Sequence, residues 1–210
     1  RASDRGQYGG TVELVVAAHG AGSRWLAQRT VHERVDMVGP LGTSFGIPTE
    51  PVSALLVGGG YGSAPLFGLA EVLKARGCRV DMVLGAGTAG RIYAPLEGKR
   101  SVSSMTLTTE DGTAGTRGRV TDVIPGIVEK YRIEIIYSCG PMAMLQAVND
   151  IAISKEILHQ CAVEESMACG IGVCMTCVIP LRDEQGIIKM ARSCIEGPVV
   201  DGSKVIWSEP

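Results

Sequence analysis

No stretch of this 210-residue sequence approaches the ~20 consecutive apolar residues that a membrane helix requires, and no signal-peptide pattern is visible. Aromatic side chains make up only 4%, too few for the stacked-base platforms of single-strand nucleic-acid binders. Neither sign of charge dominates: 20 Lys and Arg stand against 22 Asp and Glu, with no basic run. Nucleic acid and membrane surfaces are therefore not expected partners. The three histidines, His19, His32 and His159, have no metal-like spacing, and no Ser-His-Asp or paired-carboxylate arrangement stands out. An even cysteine count is lacking too. Seven cysteines do not suit a disulfide framework, and a chain this long with 45% hydrophobic residues can form a core without one. A reducing cytoplasm and a metal site fit better. The chain opens at Arg1 rather than Met, as a fragment or processed chain would.

Glycine, in contrast, is abundant. The 28 glycines gather at 39–46, 58–62, 85–90, 112–118 and 170–172, the pattern of several loops that cradle ligands or turn sharply. Between them, residues 11–18 read as a strand, 22–29 as a short helix and 34–42 as a second strand, together resembling the end of a small β-domain over residues 1–50. From 51 to 160 the pattern becomes strand–helix alternation. Strands are expected at 53–60, 78–87, 101–112 and 133–140. Helices are expected at 61–77, at 141–158 with Pro141 in its first turn, and in part at 118–131, where Pro125 interrupts. "SALLVGGG" is apolar throughout, as strands buried on both faces of a parallel sheet are, so a doubly wound parallel α/β sheet is the natural assembly. Residues 161–210 change again, to a cysteine loop and short strands at 176–182, 186–192 and 204–207, a small β-rich domain.

That cysteine loop, "SMACGIGVCMTC", sets Cys169, Cys174 and Cys177 in a C-x4-C-x2-C spacing, with Cys194 following after sixteen intervening residues. This is the ligand spacing of a plant-type [2Fe–2S] cluster. Two irons need four thiolates on a chain that wraps closely and offers N–H groups to sulfur, and Gly170 and Gly172 allow that. Four cysteines also suit a structural zinc, although zinc sites usually present two short C-x2–4-C pairs. Cys78 and Cys161 read as small buried hydrophobes.

The "GGGYGSAP" run follows a buried strand and opens a helix, the geometry that holds a phosphate on backbone N–H groups and a helix dipole. Gly58, Gly59, Gly60 and Gly62 are the candidate residues, and a dinucleotide is the expected ligand. The G-x-G-x-x-G fingerprint is incomplete because Ser63 occupies its last place, and the second strand ends in "LGAGTAGR" without the usual acidic residue. Arg91 in that stretch stands where a 2′-phosphate would lie, although NADH is expected over NADPH. Cys139, Gly140 and Pro141 follow the fourth strand at the same edge of the sheet.

"GPLGTSF" (39–45), "LLVGGGYGSAPL" (55–66), "CGPMAML" (139–145), "VEESMACGIGVCMTCV" (163–178) and "CIEGPVV" (194–200) occur in an order that resembles the ferredoxin–NADP reductase-like superfamily. Within it they are most similar to electron-transfer subunits of NAD-dependent dihydroorotate dehydrogenases. The resemblance implies an FAD-binding β-barrel, of which residues 1–50 are the C-terminal part, an NAD-binding domain and a [2Fe–2S] domain. It implies FAD, NAD(H) and the cluster as cofactors, with cluster ligands Cys169, Cys174, Cys177 and Cys194. "GAGSRW" resembles a flavin-diphosphate stretch, which makes Gly22 and Ser23 candidates. Asp111, Gly140 and Pro141 would line the nicotinamide pocket, with Cys139 as a catalytic residue there. The implied partner is a catalytic flavoprotein subunit in a hetero-oligomer of pyrimidine biosynthesis. Reductase components serving an oxygenase, a hydrogenase or ferredoxin share the same carriers, and a zinc-stapled binding module is the non-enzymatic alternative. In one respect the sequence departs from the family: the Arg-x-Tyr/Phe-Ser strand that normally lies earlier in the barrel has no match here.

Overall fold

The computed structural model describes Ala2–Ser3, for the backbone alone, and Gly10–Trp207. By contact the chain divides into two compact units, residues 1–40 and 41–210.

In the first unit, β1 (Ala2–Ser3) pairs antiparallel with β2 (Thr11–Val12), and α1 spans Ala21–Ala27. The strand expected over 11–18 is thus confined to two residues, and residues 34–42 form no strand beyond an isolated bridge partner at Thr43. None of the residues 10–40 is buried. Without a second apolar layer to pack against, β-prone sequence has no reason to extend.

The second unit is built on a seven-stranded sheet. Its strands are β3 (Ser53–Gly59), β4 (Arg79–Ala86), β5 (Ser104–Thr109), β6 (Thr116–Arg117), β7 (Ile135–Cys139), β8 (Leu158–Ala162) and β11 (Val199–Asp201). Their order is β11-β8-β7-β3-β4-β5-β6, parallel throughout except that β11 runs antiparallel to β8. Residues 54–58 of β3 are buried or nearly so on both faces, as the unbroken apolar run predicts.

Ala54 and Leu56 face one helical layer, α2 (Ala64–Ala75) and α3 (Pro95–Ser101), through Leu66, Phe67, Ala70 and Leu73. Leu55 and Val57 face the other, α4 (Val120–Tyr131) and α5 (Met142–Ser154), through Val120, Ile124, Val128, Val148 and Ala152. The period-two split of one strand into two cores is what makes the sheet doubly wound, and each fully buried leucine or valine contributes roughly 1.5–3 kcal/mol. Asp81 sits in the middle of this sheet at 1% exposure because Arg79 grips it with bonds of 2.8 and 3.0 Å and the Ser104 hydroxyl donates to it as well.

α3, β6 and β11 had no counterpart among the expected elements, and three further segments differ from their expectations. α4 runs unbroken through Pro125; one missing N–H in a helix packed along its whole length is tolerated. The helix expected over 141–158 ends at Ser154, and β8 follows over Leu158–Ala162, where no strand was expected. The segment 204–207 is not a strand: a 3-10 turn covers Gly202–Lys204, and Val205 makes a single antiparallel bridge to Leu181.

The cluster segment contributes an antiparallel hairpin, β9 (Val178–Arg182) and β10 (Ile188–Arg192). Ile179 and Ala191 of the hairpin, Cys161 and Val200 of the sheet edge, and Leu145 of α5 share a third core. The cysteine segment is therefore packed onto the sheet through α5, β8 and β11.

Candidate cluster and nucleotide site

All seven cysteines are free thiols, and the four at cluster spacing meet in two pairs. The loop from 169 to 177 turns on Gly170 and Gly172, at φ +70° and +78°. A Cβ on Gly172 would press on the end of the Ile195 side chain, and the positive φ already favours glycine there. This winding aims N–H groups inward. Val173 and Cys174 donate to the Cys169 sulfur at 3.4 and 3.5 Å. The Cys174 and Ile171 N–H groups, then the Cys174 thiol, draw the Cys169 thiol down to about 6. Cys177, at the start of β9, meets Cys194, which follows β10. The backbone N–H and the thiol of Cys194 hold the Cys177 thiol below its ordinary range, while sharing that proton raises Cys194.

Among the described residues no three His, Cys, Asp or Glu side chains converge on one point that could hold a single ion. The arrangement is two-plus-two: Cys169 with Cys174, and Cys177 with Cys194. A pair of irons takes two thiolates each, so this donor set, with Cys169 and Cys177 already drawn down by N–H donors, fits a [2Fe–2S] group.

The sequence reading missed three residues here. Arg192 donates to Gly172 O at 3.0 Å and bonds Glu196 at 3.1 Å, while its own N–H reaches the same carboxylate at 2.8 Å. Glu196 is held below its ordinary range by that N–H and by the guanidinium. Between them lies Ser193, buried at 1% exposure. The only sequence signal for them was their position flanking Cys194. Beyond the turn, Thr43 fastens the chain: its N–H donates to Gly197 O at 2.6 Å and its hydroxyl to Glu196 O and Val199 O, both at 3.2 Å.

The glycine loop lies at the carboxyl edge of the sheet. Gly58 and Gly59 end β3, a 3-10 turn covers Gly60–Ser63, and α2 begins at Ala64. β7 delivers Cys139, Gly140 and Pro141 beside it, with Cys139 in register with Gly58. The two loops meet backbone to backbone: a Cβ on Gly62 would lie 2.7 Å from Gly140 Cα, and one on Gly59 2.9 Å from Pro141 Cδ. Gly58, likewise, has room only for hydrogen, because a Cβ would lie 2.5 Å from that of Ser63. Gly59 and Gly62 thus bring the two loops together, and Gly58 lets its own loop fold back on Ser63. Gly60, at φ +54° with open space beside it, leaves backbone that a ligand can approach. The N-termini of α2 and α5 both open at this edge with no acidic residue in either first turn, a favourable field for a phosphate.

Cys139 is half-buried, and burial, then the charge of Glu164, pushes its thiol up to about 11. It is a neutral group at physiological pH, not a thiolate. Asp111 stands two strands from Gly58, in the turn after β5. Its carboxylate accepts from Thr113 N at 3.0 Å and Thr113 Oγ at 2.6 Å, which holds it below its ordinary range. The Thr113 hydroxyl in turn receives Ala89 N at 2.9 Å, so Asp111 shapes the loops that follow β4 and β5. Arg91 ends the 3-10 turn Ala89–Arg91 there and is exposed. In the first unit, Gly22 and Ser23 lie in the first turn of α1. Nothing stands within 4 Å of a Cβ on Gly22, and the Ser23 hydroxyl accepts from His19 N at 3.0 Å and Gly20 N at 2.9 Å.

A family model described as the iron-sulfur cluster binding domain of dihydroorotate dehydrogenase B matches residues 164–206. Electron transfer subunits of dihydroorotate dehydrogenase B (NAD(+)) from Bacillus cereus (strain Q1) and Bacillus anthracis (strain CDC 684 / NRRL 3495) are each 39% identical over 197 residues, 92% of this chain and 73% of theirs. The chain belongs to this family of electron transfer subunits. Among solved structures, an NADH-dependent reduced ferredoxin-NADP oxidoreductase, described for flavin-based electron bifurcation, superimposes with a TM-score of 0.76 at 30% identity, covering 93% of this chain and 67% of that one. An intact type IV self-sufficient cytochrome P450 monooxygenase matches with a TM-score of 0.51 at 17% identity, over 80% of this chain and 28% of its own, and shares the fold alone. The family's cluster model spans all four paired cysteines, and no helix among the described residues is long and apolar enough to cross a membrane.

Proposed function

We propose that this chain passes electrons between NAD(H) and a catalytic dihydroorotate dehydrogenase subunit in pyrimidine biosynthesis, with FAD and a [2Fe–2S] cluster as its carriers. The observation that carries this reading is the joining of two half-sites, Cys169/Cys174 and Cys177/Cys194, to a sheet with a nucleotide-type edge, in a chain 39% identical to named electron transfer subunits. When bound, NAD(H) exchanges a hydride, the flavin converts between paired and single electrons, and the cluster handles one electron at a time.

The chain's own residues bind and position these groups. Cys169, Cys174, Cys177 and Cys194 are the cluster ligands, and the N–H groups of residues 171–174 stabilise negative charge on sulfur. Gly58, Gly59 and Gly62 shape the dinucleotide loop against Gly140 and Pro141, and Gly60 admits the diphosphate to the helix N-termini. Cys139 faces the nicotinamide end as a neutral thiol, with Asp111 ordering the neighbouring turn. Residues 1–50 correspond to the C-terminal part of the flavin barrel, where Gly22 and Ser23 would lie near the diphosphate. Residues 51–160 form the nicotinamide domain and 161–210 the cluster domain. Seven free thiols suit a reducing cytoplasm.

The test is the anaerobic complex with its catalytic subunit. A brown-red protein that bleaches with dithionite and carries about two irons per chain is expected. Cys174→Ser should lose the iron and electron delivery while NADH affinity stays within about twofold. Colourless protein with one zinc per chain, or unchanged iron in the variant, would overturn the reading.

A further inference from the structure

The β9–β10 ladder pairs Val178 with Arg192, and one step further along the same register Cys177 stands opposite Ser193. The Ser193 N–H donates to Cys177 O at 2.9 Å, which fixes that step. Directly opposed residues of an antiparallel pair send their side chains to the same face, with Cβ atoms about 4.5–5.5 Å apart. Both side chains are buried, Cys177 at 2% exposure and Ser193 at 1%. Among the described residues the Ser193 hydroxyl has no hydrogen-bond partner. A buried hydroxyl without a partner is destabilising, and in a native structure it calls for a cause. The side chain directly across the ladder is that of Cys177, whose sulfur can accept a hydrogen bond.

We infer that Ser193 is a positioning residue of the cluster site, whose hydroxyl donates a hydrogen bond to the Cys177 sulfur and raises the reduction potential of the iron–sulfur group. The inference rests on the function proposed above. A neutral thiol is a weak acceptor, whereas a metal-bound thiolate is a charged and stronger one. The hydroxyl's burial is therefore compensated best when the site is loaded. Reduction adds negative charge, so a donor aimed at a ligand sulfur favours the reduced form. The backbone is held for this purpose: a Cβ on Gly197 would lie 3.0 Å from Ser193 O and 3.1 Å from Ser193 Cα, so the turn after Cys194 packs directly on Ser193.

The experiment uses the full chain, purified anaerobically with its catalytic subunit. The midpoint potential is read by a mediated redox titration followed by visible absorption and electron paramagnetic resonance. Ser193→Ala is expected to keep its iron and to titrate at a more negative potential than wild type. Ser193→Thr, which keeps the hydroxyl, is expected to stay close to wild type. An unmoved midpoint in S193A overturns the inference. If S193A loses its iron, S193T decides: retained iron supports the hydroxyl's role, and loss in both variants assigns the effect to packing and overturns it. Wild-type protein without iron overturns the functional reading along with this one, whereas iron-replete wild type beside an unmoved S193A overturns only the part played by Ser193.

Discussion

At Gly62 a single hydrogen decides whether two loops can touch. Its neighbours are backbone atoms of Cys139 and Gly140, which cannot rotate away as a flexible side chain would. Gly62→Ala should therefore push the β3 and β7 loops apart and weaken NADH binding at least tenfold, measured by calorimetric titration, while the iron content stays at the wild-type level. Affinity equal to wild type would show that the loops do not form the dinucleotide site. Residue identities of this kind were partly legible in the sequence. The cysteines announced themselves because metal ligation demands a residue type at a spacing. The glycines did so because consecutive glycines after an apolar strand are costly unless the backbone needs them. Ser193, Arg192 and Glu196 did not, because their roles come from strand register and a local clamp, which ordinary residue types can supply.

At the scale of the element, β8 carries the most consequential difference. Its residues follow α5 without a glycine to mark the helix end. Glu156 takes the left-handed conformation at φ +55°, where glycine is the usual residue. With the stop signal absent, the helix was expected to run to 158, four residues past its end at Ser154, and the strand beyond it went unread. The helix α3 also went unread, although Pro95 stands at its first position, where proline is favoured. Strands β3, β4 and β7 were legible because burial on both faces leaves an apolar run with no alternative use.

β8 also places His159 in the interior at 5% exposure, with Nδ1 3.2 Å from Asn149 Oδ1 and Nε2 2.7 Å from the Ser138 hydroxyl. Burial pushes this imidazole down to about 4, only partly offset by the charge of Asp201. The unfolded chain, with an ordinary histidine, takes up a proton that the folded one refuses. The resulting stability is complete above pH 6.5 and is lost as the pH falls toward 4, by up to about 3 kcal/mol. Urea unfolding across that range should show the slope, and His159→Gln should flatten it. A variant with the wild-type slope would assign the effect to other groups.

At the scale of the molecule, the two units differ in kind. Residues 41–210 enclose three apolar cores around one sheet, whereas residues 10–40 bury no side chain, and Val31, Met37 and Val38 are exposed at 84%, 57% and 76%. Amide exchange by mass spectrometry should find residues 30–40 exchanged in the earliest labelling interval, with β3, β4 and β7 protected at least a hundredfold longer. Strong protection over 30–40 in the isolated chain would contradict this. The order of the parts, strand–helix alternation followed by a cysteine segment, was legible from pattern. The extent of strand in the first forty residues was not, because β-branched residues become strand only where a facing layer gives them something to bury against.

β8 precedes the cysteines and β11 follows them, yet the two lie side by side as the last rungs of the nucleotide sheet. Anyone wishing to transplant this redox module into another reductase would have to lift residues 157–207 in one piece. A cut at the first cysteine would split β11 from β8 and leave each with an unpaired edge, open to pairing with its neighbours in solution.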